Sequence, residues 1–113
     1  MARGDVLRVE LPSPDGSREQ AGRRPAIAIQ AEVKGFSTPT LLVVPLTSNL
    51  EALRFPYTIR VEPSATNGLA QQSVLLVFQL RAMDRARITG TIGKLEKEYI
   101  DQLNAEMRRL LAL

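Results

Sequence analysis

Apolar and polar residues alternate with a period of two along most of this chain, and with a helical period only at its end. In "VLRVEL" (6–11), Leu7, Val9 and Leu11 share one face while Arg8 and Glu10 share the other, which is the pattern of a half-buried strand. "PSPDGSREQAG" follows and reads as a loop from its Pro, Gly, Ser and Asp content. It is long for a connection inside a compact domain, and such loops are often functional. "PAIAIQ" (25–30) and "TPTLLVVPLTSN" (38–49) are apolar on both faces and predict buried strands; the first begins at a proline. "YTIRVEP" (57–63) alternates, with Ile59 and Val61 inward. "ATNGLAQQ" carries an Asn-Gly turn signal. "SVLLVFQLRAMD" (73–84) is too long for one ordinary strand, so it is expected to bend or change partner midway. "RITGTIG" (87–93) alternates again, and Asp84 before "RARI" is placed to cap a short helical turn.

Only the last segment changes period. Leu95, Tyr99, Leu103, Met107 and Leu110 recur at helical spacing, and Ile100 and Leu111 widen the stripe. Lys97, Glu98, Asp101 and Glu106 supply the other face. The pattern predicts a mainly β fold of six to seven short strands, arranged as a small barrel, with one C-terminal amphipathic helix. The 113 residues suit one domain, 1–113, with no repeat or linker.

Composition narrows the chemistry. The chain has neither cysteine nor histidine, so a thiolate site, a zinc enzyme and imidazole catalysis are all disfavoured. No metal and no cofactor is expected. The N-terminus has no signal-peptide shape, and no apolar stretch approaches the ~18 residues of a membrane span, so a cytoplasmic protein without membrane contact is expected. The net charge is a mild +3, but its make-up is unusual: Lys34, Lys94 and Lys97 are the only lysines among 15 cations. Arginine presents a planar fork that grips phosphate. A GC-rich genome would also enrich it.

The stretch "EQAGRRPAIAIQ" (19–30) concentrates that arginine at the mouth of a buried strand. Taken alone, Arg23 and Arg24 fit either a phosphate contact or a charged edge that discourages strand pairing.

"RGDVLRVEL", "GSREQAGRRPAIAIQ", "VVPLTSN" and "SVLLVFQLRAMDRARI" resemble, in order and at similar spacing, the MazF/PemK family of toxin endoribonucleases. The resemblance runs from about Arg3 to Arg87, and the closing helix fits too. It implies an SH3-like (CcdB/PemK-like) barrel working as a homodimer. It also implies cleavage of single-stranded RNA, mostly messenger RNA, without a metal, and a MazE-like antitoxin partner. The family's catalytic arginine directly precedes proline, which makes it Arg24. Its catalytic threonine follows the third strand, which makes it Thr47. Arg18 lengthens the first loop by one residue relative to the family pattern. Ser17 and Arg18 therefore compete for the place beside the scissile phosphate.

The chemistry can be assigned on its own terms. RNA carries its nucleophile, the 2′-hydroxyl. The protein must deprotonate it, stabilise the phosphorane and protonate the 5′-oxygen, giving 2′,3′-cyclic phosphate and 5′-hydroxyl ends. Arginine is essentially always protonated, so Arg24 suits phosphorane stabilisation, or the acid role, better than the base role. Glu19 either serves as base or orients Arg24 through a salt bridge. Thr47 donates to the non-bridging oxygens, or only closes a turn. Candidate substrate contacts are Ser17, Arg18, Gln20 and Arg23 in the first loop, Ser48 and Asn49 after Thr47, and Phe55 and Gln79. Phe55 and Phe36 are expected to be exposed, Phe78 and Tyr99 to be core. Asp5 is expected to serve a turn.

Two other functions fit the sequence. A CcdB-like toxin of the same fold poisons DNA gyrase through its helix end, and "AEMRRLLAL" ends in apolar residues. A non-catalytic SH3-like RNA-binding or adaptor module would need aromatic or basic surface only. Neither needs the arginine and threonine pair.

Overall fold

The computed structural model describes residues 1–11 and 22–113; of Leu11, Gly22 and Arg23 only the backbone is described. Seven strands form one antiparallel sheet: β1 (Asp5–Leu11), β2 (Gly22–Ala28), β3 (Thr40–Thr47), β4 (Thr58–Val61), β5 (Ser73–Leu76), β6 (Arg81–Asp84) and β7 (Ile88–Lys94). Helix α1 (Lys97–Leu111) closes the chain. Strand neighbours run β4-β5-β3-β2-β1-β7, and β6 also pairs with β3. The sheet is not closed, since β6 and β7 share no ladder; the expected barrel is an open one. Among the described residues no helix is long and apolar enough to cross a membrane.

Strand alternation sends neighbouring residues to two separate cores. Val6, Ile27, Val44, Leu46, Ile59 and Leu75 pack in the first, under Leu103 of the helix. Leu7, Val9, Ala26, Ala28, Leu41, Val43 and Met83 pack in the second, on the other face. The helix lies on β4 and its stripe does what the period predicts: Tyr99, Ile100, Met107 and Leu110 pack against the first core. Leu111 does not join them; it is half-exposed in the last turn, just before Ala112 turns left-handed at φ 57°.

The long apolar run 73–84 breaks as expected. A 3-10 turn at Val77–Gln79 separates β5 from β6. Both strands pair with the same edge of β3, at different ends. β6 covers Thr40 to Val43 and β5 covers Leu46 and Thr47. The ladders skip Val44 and Pro45 on that edge, and Pro45, which has no N–H to offer a neighbour, falls in the gap. The turn also swings Phe78 outward. Instead of joining the core it is exposed, 5.5 Å from Phe55 in a tilted ring pair, because the strand ends just before it.

Strand β2 starts three residues earlier than the proline suggests and ends two residues sooner than Gln30. Pro25 is tolerated inside it because only β1 pairs there; the β2–β3 ladder covers Ala26 to Ala28. Asp84 caps the short turn Arg85–Arg87, accepting from the Ala86 amide at 2.8 Å. Asp5 is buried and accepts from the Ala2 amide at 2.8 Å, a turn role as expected.

Candidate active site

The groove of interest opens where β2 and β3 part. Their ladder ends at the pair Ala26 and Pro45. Beyond it, β2 stays with β1, with Arg24 opposite Val9, while β3 stays with β5, with Thr47 opposite Val74. Continuing the β2–β3 register two residues past that last pair would set Arg24 across from Thr47. The fork encloses about 330 Å³. Arg24 and Pro25 line it from the β2 side, and Leu46, Thr47 and Ser48 from the β3 side. Two residues distant in sequence thus line one groove, because two strands that pair at one end diverge at the other.

The polar groups here have definite partners. The Thr47 hydroxyl accepts from the Asn49 amide at 3.2 Å, and the Asn49 side chain accepts from the Glu51 amide at 3.1 Å. Asn49 is therefore the cap of a 3-10 turn, Leu50–Arg54. It does not line the groove, and a base contact from its side chain would compete with that cap. Arg24 is half-buried, and no described carboxylate pairs with it. The described lining contains two arginines, Arg8 and Arg24, and no acidic residue, so the groove has a positive character suited to phosphate. Among the described residues no group of three His, Cys, Asp or Glu gathers as a metal would require.

The other expected contacts are distributed differently. Ser17, Arg18, Glu19 and Gln20 lie outside the described residues. Arg23 has its backbone in β2, opposite Glu10, and its side chain is not described. Phe55 is exposed outside the groove lining, where the Arg54 guanidinium lies 4.9 Å over its ring and Phe78 packs beside it. Gln79 sits exposed in the 3-10 turn after β5 and does not line the groove either.

Two features were not singled out from the sequence. Arg8, an outward residue of β1, stands opposite Pro25 and enters the lining. Its position on the polar face of an alternating strand was visible, its neighbour across the ladder was not. The segment Gly68–Gln71, known from the sequence only as a turn signal, also lines the groove.

Comparison with known proteins finds relatives along almost the whole chain. Residues 2–111 match the family model described as PemK-like, MazF-like toxin of type II toxin-antitoxin system. Endoribonuclease EndoA of Bacillus subtilis is 32% identical over 111 residues, 98% of this chain and 94% of that protein. Endoribonuclease MazF of Staphylococcus saprophyticus is 31% identical over 104 residues, 92% of this chain and 85% of its own. Among solved structures, MazF from Deinococcus radiodurans aligns with a TM-score of 0.75 at 21% identity, covering 100% of this chain and 97% of its own. A mycobacterial endoribonuclease in complex with its cognate antitoxin aligns at 0.76 and 17% identity, covering 100% and 96%.

Proposed function

From the premise that this chain belongs to the PemK-like, MazF-like toxins of type II toxin–antitoxin systems, we propose that it cleaves single-stranded RNA in the fork between β2 and β3. It is an endoribonuclease by kinship with EndoA and MazF; on the reading proposed here its substrate is messenger RNA and its place of action the cytoplasm. The observation that carries the placement is the convergence of Arg24 and Thr47 on one groove whose described lining has no carboxylate.

A phosphate seated in the fork meets Arg24 on one side and Thr47 on the other. The 2′-hydroxyl of the nucleotide on the 5′ side loses its proton to the base and attacks phosphorus, the bond to the 5′-oxygen breaks as that oxygen takes a proton from Arg24 or from water, and a 2′,3′-cyclic phosphate and a 5′-hydroxyl result. The guanidinium fork of Arg24 stabilises the charge that grows on the non-bridging oxygens. The Thr47 hydroxyl already accepts from Asn49, so its own proton is the one it has to give; it donates to the same oxygens. Glu19 is the candidate base, or the residue that orients Arg24. Ser17 and Arg18 compete for the phosphate from the same loop, with Gln20 and Arg23 as further contacts. Ser48, which lines the groove next to Thr47, is a substrate contact. Arg8 adds a second cation along the sugar–phosphate path.

The reaction needs no metal, because the nucleophile belongs to the substrate and the charge is met by arginine. The working form is a homodimer, held in check by a MazE-like antitoxin; a mycobacterial relative and a Deinococcus MazF are each known with an antitoxin bound. The family match favours this reading over a gyrase poison or a passive adaptor. The test is incubation of the purified protein with a long single-stranded RNA in EDTA, with product ends mapped. Discrete fragments ending in 2′,3′-cyclic phosphate and beginning with 5′-hydroxyl are expected. Intact RNA, or fragments with 3′-hydroxyl ends, would overturn the chemistry.

A further inference from the structure

Besides the two arginines, the groove is lined by a stretch of different chemistry. Gly68, Leu69, Ala70 and Gln71 carry no charge. Behind them sits Asn67, whose side chain is fully buried and takes no part in the cleavage step. Its amide uses its whole hydrogen-bonding capacity. Oδ1 accepts from the amides of Ser64 and Leu69, both at 3.0 Å. Nδ2 donates to the Glu62 carbonyl at 2.9 Å and to Glu96 Oε1 at 3.1 Å. The other Glu96 oxygen accepts from the Ser64 hydroxyl at 2.7 Å, and that hydroxyl accepts from the Asn67 backbone N–H at 3.0 Å. Glu96 is the residue before helix α1, so the wall is tied to the start of the helix.

Backbone contacts complete the anchorage. The Lys94 amide donates to the Thr66 carbonyl at 2.9 Å. A Cβ on Gly93 would lie 2.5 Å from the Asn67 backbone, so β7 runs directly against the turn. The segment is thus held from two sides before any substrate arrives, and a pre-ordered surface loses little entropy on binding.

The adjacent glutamines show where this order leads. The Gln72 amide is committed, accepting from Arg60 and donating to Glu62, each at 2.9 Å. The Gln71 side chain is exposed at the groove and bonds to no described residue; only its backbone carbonyl is used, by the Ser73 hydroxyl at 3.0 Å. A side-chain amide sets a donor beside an acceptor, the combination that matches the edge of an unpaired base. Arginines in one part of the lining and a neutral, amide-bearing stretch in another give a strand of RNA two kinds of surface to meet.

We infer that Gly68–Gln71 is the base-reading wall of the groove, with Gln71 bonding the edge of a nucleobase beside the scissile phosphate and Asn67 as its positioning residue. The inference rests on the ribonuclease reading above and says which part of the protein selects the sequence that is cut.

The test compares cleavage rates at the preferred site and at its single-base variants in otherwise identical RNA. Gln71→Ala is expected to lower the discrimination about tenfold at one nucleotide position and to spare it at the others. Asn67→Asp sets a carboxylate against Glu96 and removes the two donors, so it should lower discrimination at that same position. Adding Glu96→Gln gives the new carboxylate a donor again and should recover part of the loss. A merely structural role for Asn67 would slow all sites alike, with no position-specific rescue. That pattern, or an unchanged profile for Gln71→Ala, overturns the inference. If Asn67→Asp does not fold, as judged by thermal melting, the exposed Gln71 carries the test alone. Absence of cleavage by the wild type would instead overturn the ribonuclease reading itself, and with it the wall.

Discussion

The backbone amide of Asn49 donates to the hydroxyl oxygen of Thr47 at 3.2 Å, so the side chain at the mouth of the fork also closes the turn that follows it. One hydroxyl would then serve two ends: its oxygen holds the turn, and in the proposed mechanism its proton is left to donate to a phosphate. Thr47→Ser keeps both functions and should retain most of the single-turnover rate. Thr47→Val keeps the shape and loses both; the rate should fall on the order of a hundredfold or more, the scale of one lost transition-state donor.

Arg24→Ala should reduce cleavage by at least about a hundredfold, with a larger effect on kcat than on KM. Arg24→Lys should recover only part of the rate, since a point charge cannot bridge two phosphate oxygens. Antitoxin binding and the melting curve check that the fold is intact. Full cleavage by Arg24→Ala would remove the residue from the mechanism.

Arg8→Gln should weaken RNA binding evenly across sequences. The slope of log affinity against log salt should become shallower by about 0.7, as for one lost phosphate contact on a single strand. Titrations at several salt concentrations with the Thr47→Val protein, which spares the RNA, would measure it. An unchanged slope would mean that Arg8 touches no phosphate.

Gly68→Ala should destabilise the protein by more than about 1–3 kcal/mol. The residue has φ +72°, and its added Cβ would lie 2.1 Å from the Ile92 carbonyl oxygen. Denaturant melting reads the change. A neutral outcome would mean that β7 yields easily to the turn.

Much of the fold was legible because period and punctuation act locally. The break in 73–84 showed as a run too long for one strand, and the structure sets a 3-10 turn there. The Asp84 cap and the stripe of α1 were readable for the same reason. Phe78 misled because an apolar run looks buried throughout, whereas a single turn inside it rotates one ring to the surface. Of the site, Arg24 and Thr47 were found through family motifs, and neither residue announces its partner by spacing. Arg8 and Gln71 were not found. Their place in the groove lining comes from which strands and turns are brought together there, which depends on register and not on local pattern.

The gap on the edge of β3 has a consequence for fidelity during folding. A one-residue slip of β3 against its neighbours would exchange every inward and outward side chain. In the direction that brings Pro45 to the place of Leu46, it would also set the proline against a strand that needs an N–H from it. A slip that way is therefore penalised twice, and the correct register is the one that brings Thr47 to the fork. A proline that never meets the RNA acts as the index mark by which the strand is set.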